Sequence, residues 1–300
     1  MADNKHLNKA KYTKNDEFYT QLSDIEKELI HYKSQFKGKR IYCNCDKPEK
    51  SAFWEYFHTH FKELKLKRLT ATFLTIEGEA FAAVYEGGKD SDLTYYSTIP
   101  LVSDGDFRSL DSQYFLKHSD IIVTNPPFSI FREFISLMKE FDKQFLVIGT
   151  FNMVKYNDIF TDIVDRKMWL GVFNGNMNFK VPATSEVRSN RYWEDSTGQK
   201  WRSLGNIIWL TNIKIPKCDE YIPLTKEYIP DNYPKYDNID AIEVSKVLNI
   251  PKDYFGKMCV PITFLARYNP EQFEILEDVR YGRLNGKKMY ERLLIQRKDI

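Results

Sequence analysis

DIIVTNPPFSIF, from Asp120 to Phe131, starts as a run of β-branched residues and halts on an asparagine and two prolines. A short apolar, β-branched run bounded by turn residues reads as a buried strand. Pro126 and Pro127 offer no N–H to a ladder, and a following proline biases its predecessor away from helix, so the strand ends at Asn125. Apolar residues then recur at helical spacing, predicting a helix from about Ser129 to Phe141. Outward from this unit the same alternation repeats. Upstream lie a helix through Leu22, Ile25, Leu29 and Tyr32 with Ser23 as its capping candidate, the strand RIYCNC (Arg40–Cys45), and a helix around Phe53, Trp54, Phe57 and Phe61. Two strand-like runs follow, LTATFLTI and AFAAVYE, then a helix near Ser109–Leu116. Downstream lie the strand QFLVIGT, a helix near Tyr156–Val164 and the strand KMWLGVF. Strands separated by helices predict an α/β fold, a doubly wound and mostly parallel sheet, whose ligands bind at the carboxyl ends of the strands. Asn125 to Phe128 stand on that edge.

The second half has a different texture. From about Asn174 to Thr211 there are Gly/Asn turns and short β-like runs (NFKVP, RYWED, KWRSL, NIIWLTN), and from Ile215 to Pro251 the chain is dense in proline and tyrosine. The expected organisation is a cofactor-binding and catalytic α/β domain over residues 1–175 and a β-rich region over 176–300, with a strand such as CVPITFL (Cys259–Leu265) returning to the main sheet.

With 300 residues, 42% of them hydrophobic, the chain can bury a substantial core. No apolar leader and no 18-residue uncharged stretch is present, so a cytoplasmic location without membrane association is expected. Cys43, Cys45, Cys218 and Cys259 are scattered as in a reducing compartment, and neither their spacing nor nearby histidines suit a metal. A net charge of +2 does not declare a polyanionic partner. The basic N-terminal arm (Lys5, Lys9, Lys11, Lys14) and C-terminal stretch (Arg280, Arg283, Lys287, Lys288, Arg292, Arg297, Lys298) read either as solvated tails or as phosphate-contacting surface.

Asn-Pro-Pro-Phe at a strand end can be a plain turn, or it can be an instrument for methylating an aromatic amine. The lone pair of such an amine, as in N6 of adenine, is delocalised into the ring. Two acceptors aimed at its N–H groups draw the nitrogen towards tetrahedral geometry and stabilise the positive charge that develops as it attacks an electrophilic methyl. Asn125 supplies a side-chain carbonyl, and Pro126 a main-chain carbonyl. Phe128 offers a face on which a base lifted from a duplex can stack, a contact worth about 1–3 kcal/mol.

These residues resemble the amino-group DNA methyltransferases with an Asn/Asp-Pro-Pro-aromatic motif, and more narrowly the EcoRI-type adenine-specific methyltransferases. The narrower resemblance rests on NDEFYTQLSDIEKEL (Asn15–Leu29), IYCNCDKP (Ile41–Pro48), SDGDFRS (Ser103–Ser109), DIIVTNPPFS, YPKYDNIDAI (Tyr233–Ile242) and VPITFLARYNPEQFE (Val260–Glu274), in the family's order. It implies the S-adenosylmethionine-dependent methyltransferase fold with a β-rich target-recognition elaboration. It also implies S-adenosylmethionine as cofactor, with Asp106 and Phe107 at its adenine end and Phe18 and Tyr19 as a pocket wall. From the residues alone, Asp106 reads equally as a helix cap and the two aromatics as core. CNCDKPE stands where a glycine-rich phosphate loop would, and a donor without pyrophosphate needs no such cradle. Asp46 is the candidate for the cofactor's amino-acid or ribose end, and Glu77 a weaker one for the ribose.

The resemblance further implies double-stranded DNA as partner, base flipping, a short palindrome such as GAATTC, and a cognate restriction endonuclease that shares the site without forming a required complex. Arg188, Arg191 and Arg202 suit guanine edges or phosphates and Asn190 suits adenine, although the same span reads as an exposed charged hairpin. Two further readings stay open: methylation of a protein glutamine amide, and a catalytically silent DNA-binding subunit.

Overall fold

The computed structural model describes residues 18–75, 78–185, 189 and 191–298. Contacts divide the chain into two compact units: one runs to Tyr156 and resumes over Gly171–Ile213, the other comprises Asn157–Leu170 and the chain from Lys214.

The first unit holds the sheet expected from the opening stretch. Its strands are β1 (Arg40–Cys43), β2 (Arg68–Ala71), β3 (Phe81–Tyr85), β4 (Ser97–Pro100), β5 (Ile121–Thr124), β6 (Gln144–Thr150), β8 (Gly175–Lys180), β9 (Tyr192–Glu194) and β10 (Lys200–Thr211). They run in the order β4-β3-β2-β1-β5-β6-β10, with β8 and β9 also on β10. Only the central strands β2, β1, β5 and β6 are mutually parallel. The flanks are antiparallel: β2 with β3, β3 with β4, and β6 with β10. Among the described residues no helix separates β2 from β3, and a parallel crossover needs a dozen or so residues, so this pair turns back on itself.

Helices α1 (Leu22–Leu29), α2 (Ala52–Thr59), α3 (Leu110–Lys117) and α4 (Phe131–Glu140) belong to the same unit. Ser23 lies inside the first turn of α1, whose cap position is Gln21. Register assigns the sheet's two faces. Trp209 is opposite Ile148 and packs on Phe53 of α2. Gly149, on the other face, lies against the Phe131 ring of α4, and Tyr42, opposite Ile122, meets Phe115 of α3. Helices therefore cover both faces, as the α/β pattern demands. In α4 the residues Phe131, Phe134, Ile135 and Met138 recur at helical spacing and are all buried.

The chain from Gly171 to Ile213 stays with the first unit. NFKVP becomes β8, RYWED β9, and KWRSL and NIIWLTN fuse into the 12-residue β10, whose far end pairs with β6. A strand this long carries the β8–β9 arm as an extension of the main sheet.

The second unit contains α5 (Asn157–Val164) and β7 (Trp169–Leu170), the latter much shorter than the strand KMWLGVF predicts. It also holds a four-stranded sheet ordered β11 (Ile242–Glu243), β12 (Met258–Pro261), β16 (Arg292–Arg297), β13 (Phe273–Val279), and the hairpin β14 (Arg283–Leu284) with β15 (Lys287–Lys288). Cys259 and Val260 thus sit in a separate sheet rather than returning to the main one, and the ITFL that follows is a 3-10 turn. Arg292, counted among the basic surface residues in the sequence, is inside: its guanidinium grips Glu243, which also accepts from the Tyr236 hydroxyl. Among the described residues no helix is long and apolar enough to cross a membrane.

Candidate active site

Because β1, β2 and β5 are parallel, their carboxyl ends share one edge, and the candidate residues gather there. Thr124 closes β5, opposite Val147 of β6, and Pro126 and Pro127 prevent further pairing. A 3-10 turn over Phe128–Ile130 then leads into α4.

The Asn125 amide is held on one side. Its Nδ2 donates to the main-chain carbonyl of Phe18 at 2.8 Å and to Thr20 Oγ1 at 3.4 Å. Its Oδ1 is buried without a hydrogen-bond partner among the described residues. A buried unpaired acceptor costs about 1–3 kcal/mol, which a fold tolerates where a ligand repays it.

Aromatic rings stack beside this amide. Phe128 lies on Phe18 with ring centres 5.5 Å apart and planes inclined by 28°. Phe18 also meets the edge of Phe179 of β8. The Arg202 guanidinium sits 4.9 Å from the Phe18 ring and 5.1 Å from Tyr192, so β10 closes the stack with a cation between two aromatics. Tyr19 exchanges two main-chain hydrogen bonds with Lys180, at 2.9 and 3.1 Å, which fixes the N-terminal segment to β8. Lys50 lies over the Tyr19 ring at 5.6 Å.

Asp46 joins three pieces of this edge. Its main-chain N–H donates to Thr72, past β2, and its carboxylate accepts from Thr124 Oγ1 and, at 2.6 Å, from Ser51 Oγ. Ser51 in turn caps α2, accepting from the N–H groups of Phe53 and Trp54. Burial pushes the Asp46 carboxyl up to about 6, against the two hydroxyls that favour its anion. Burial likewise raises the Cys45 thiol, with the nearby carboxylates of Asp46 and Asp106 adding to it and Thr124 and Arg108 opposing it. Those five residues therefore form one neighbourhood.

Asp106 is positioned by Gly105, whose φ of +78° suits glycine and where a Cβ would stand 2.2 Å from the Phe73 carbonyl. Arg108 holds the Asp106 carboxylate through two hydrogen bonds at 2.9 and 2.8 Å and reaches Glu133 with its remaining nitrogen. Phe107 turns inward, 3% exposed, against Phe134 of α4. Asn44, at the end of β1, is 1% exposed and neither polar atom of its amide has a partner.

The structure thus brings together Asn125, Phe128, Phe18 and Arg202 in one cluster and Asp46 with Asp106 in another, joined through Thr124 and Asn125. Phe107 supports the core beneath. Arg191 contributes its main-chain carbonyl to Ser203. Arg188, Asn190 and Glu77 lie outside the described residues. Thr20, Asn44, Ser51 and Thr124 are site residues that sequence reading missed; only Ser51, before an apolar helix, carried a signal, that of a cap.

Residues 6–298 match the family model described as "Adenine-specific methyltransferase EcoRI". Among curated proteins the chain is 43% identical to Type II methyltransferase M.EcoRI of Escherichia coli, with 100% of this chain and 98% of that protein aligned. It is 36% identical to Type II methyltransferase M.MgeORF184P of Mycoplasma genitalium over 98% and 99% of the two chains. It is 38% identical to Type II methyltransferase M.MpnI of Mycoplasma pneumoniae, covering 91% and 85%. No solved structure matches. Likeness of this extent, together with an Asn-Pro-Pro-Phe turn on the ligand-binding edge of an α/β sheet, makes the chain a member of the EcoRI-type family of adenine-specific DNA methyltransferases.

Proposed function

We propose that the chain transfers a methyl group from S-adenosylmethionine to N6 of an adenine flipped out of duplex DNA, within GAATTC, protecting that site from an endonuclease that cuts it. The observation that carries the reading is Asn125 Oδ1, a buried acceptor without a partner at the carboxyl end of β5. It accepts one N–H of the adenine amine, and the Pro126 carbonyl accepts the other. Together they pull the lone pair out of conjugation and stabilise the charge that grows on nitrogen. As the amine nitrogen bonds to the methyl carbon, that carbon's bond to the donor sulfur would break, the sulfur keeping the electron pair as a neutral thioether, and one amine proton would leave to water. Phe128 provides the stacking face for the extruded base.

The residues on this edge suit the proposed donor, which supplies an electrophilic methyl on a sulfonium when bound. The unpartnered amide of Asn44 and the carboxylate of Asp46 match the polar groups of the donor's amino-acid end, the Asp106 carboxylate can accept from its adenine amine, and Phe18 and Tyr19 serve as a wall of the pocket. The β8–β10 arm, with Arg191 and Arg202, supplies the DNA-reading surface, to which Arg188 and Asn190, close by in sequence, are also assigned.

The test is Asn125→Ala, assayed for cofactor binding by calorimetry and for methyl transfer to a GAATTC duplex. Binding within about twofold of wild type with transfer lost by at least about a hundredfold is expected; unchanged turnover would sink the mechanism.

A further inference from the structure

Asn125 works as an acceptor only if its amide faces one way, and the chain contains a device that sets it. A carbonyl oxygen can accept but not donate, so the Phe18 carbonyl 2.8 Å away must face the amide NH2 rather than its oxygen. Thr20 Oγ1, on the same segment and 7% exposed as a residue, takes the second proton of that NH2. With both protons engaged, Oδ1 is turned away from the segment and left without a partner. The segment cannot drift, because Tyr19, between the two acceptors, is bridged to Lys180 of β8 through both its main-chain groups.

We infer that Phe18–Thr20 is an orientation lock for Asn125, with Thr20 as a positioning residue for the methyl-transfer step; this rests on the acceptor role proposed for Asn125. The lock has a consequence that the acceptor role alone does not. An aspartate offers acceptors on both sides and needs no orienting, so as a simple acceptor it could replace Asn125. Here one of its oxygens would face the Phe18 carbonyl at hydrogen-bonding distance with no proton between them. The lock therefore selects asparagine over aspartate at this position, although either side chain can accept from an amine.

Four variants of the full-length chain test this by single-turnover methylation of a GAATTC duplex, with cofactor and duplex dissociation constants measured alongside. Thr20→Val keeps the shape and removes the acceptor; the rate should fall about five- to tenfold, the worth of one neutral hydrogen bond, with both dissociation constants unchanged. Thr20→Ser keeps the hydroxyl and should restore the rate to within about twofold of wild type, a rescue that packing alone would not give. Asn125→Asp should fall by more than about tenfold. A wild-type rate in either Thr20→Val or Asn125→Asp overturns the lock. So does a Thr20→Val defect that appears as weaker cofactor binding. Asn125→Ala separates the two readings: if it methylates like wild type, the acceptor role itself has failed and the lock falls with it, whereas a dead Asn125→Ala beside a fully active Asn125→Asp removes the lock alone.

Discussion

Replacing Asp46 with asparagine should make the protein more stable at alkaline pH, and the gain should fade as the pH falls. The carboxylate is buried and takes hydroxyl hydrogen bonds from Ser51 and Thr124, yet its pKa rises from 3.8 to about 6 because burial outweighs them. Ionisation therefore costs about 3 kcal/mol more in the fold than in the unfolded chain. Below the unfolded value both states hold the proton and nothing is lost. Between 3.8 and about 6 the fold keeps a proton that the unfolded chain has released, so stability falls as pH rises, and above about 6 the full cost is present. Asparagine removes that dependence but cannot accept through its NH2, a loss of about 1 kcal/mol. The variant should thus be about 2 kcal/mol more stable than wild type at pH 8, and its advantage should shrink by about 1 kcal/mol at pH 5. Urea unfolding of both proteins at four pH values between these limits measures the difference. An advantage that is flat with pH, or that grows as pH falls, would refute the reasoning, the latter by making Asp46 a stabilised anion.

Other sites give independent expectations. Glu28 is fully buried and accepts from the main-chain N–H groups of Val172 and Phe173 and from the Tyr32 hydroxyl, so Glu28→Ala should cost about 2–4 kcal/mol in urea unfolding. Gly171→Ala should cost about 1–3 kcal/mol in the same assay, because its Cβ would stand 2.3 Å from Glu28 Oε1 and 2.5 Å from Trp209 Cβ. In the second unit, Arg292→Ala strands the buried Glu243 and should cost about 3–5 kcal/mol, much of it regained in Arg292→Met with Glu243→Leu. Phe128→Ala removes the stacking face and should slow methylation of saturating duplex about five- to hundredfold while cofactor binding is kept; a rate equal to wild type would move base stacking to another ring.

The opening stretch is sufficient for the candidate-site edge because each of its signals is local. Four buried β-branched residues form β5, two prolines end it, and the periodic Phe131, Phe134, Ile135 and Met138 make α4. Parallelism was less legible, since whether β3 turns back on β2 depends on the connection between them rather than on the strands. Sequence also could not tell that KWRSL and NIIWLTN are one strand: Gly205 separates the two runs, but the pairings to β8 and β6 carry β10 through it with a register shift between Leu204 and Ile207. One local signal went unread. Asn285-Gly286, both with positive φ, is the two-residue turn that pairs β14 with β15. In the site, Asn125 and Phe128 come from motif chemistry and Phe18 from the family resemblance, and the three meet in space. Phe107, which the resemblance pairs with Asp106, packs on Phe134 of α4, a contact that adjacency to Asp106 in sequence does not fix. Thr20 and Thr124 carry no signal in sequence, since a threonine becomes a site residue only through partners over 70 positions away.

The assignment of Asn125 and its neighbours to adenine chemistry is tested by incubating the protein with S-adenosylmethionine carrying a labelled methyl group and unmethylated duplexes, one containing GAATTC and one with that site scrambled. The DNA is then digested and its nucleosides separated by mass. Label in N6-methyladenine from the GAATTC duplex alone is the expected result, abolished in Asn125→Ala. Label on cytosine, or equal label in both duplexes, or N6-methyladenine formed as fast by Asn125→Ala, would contradict it.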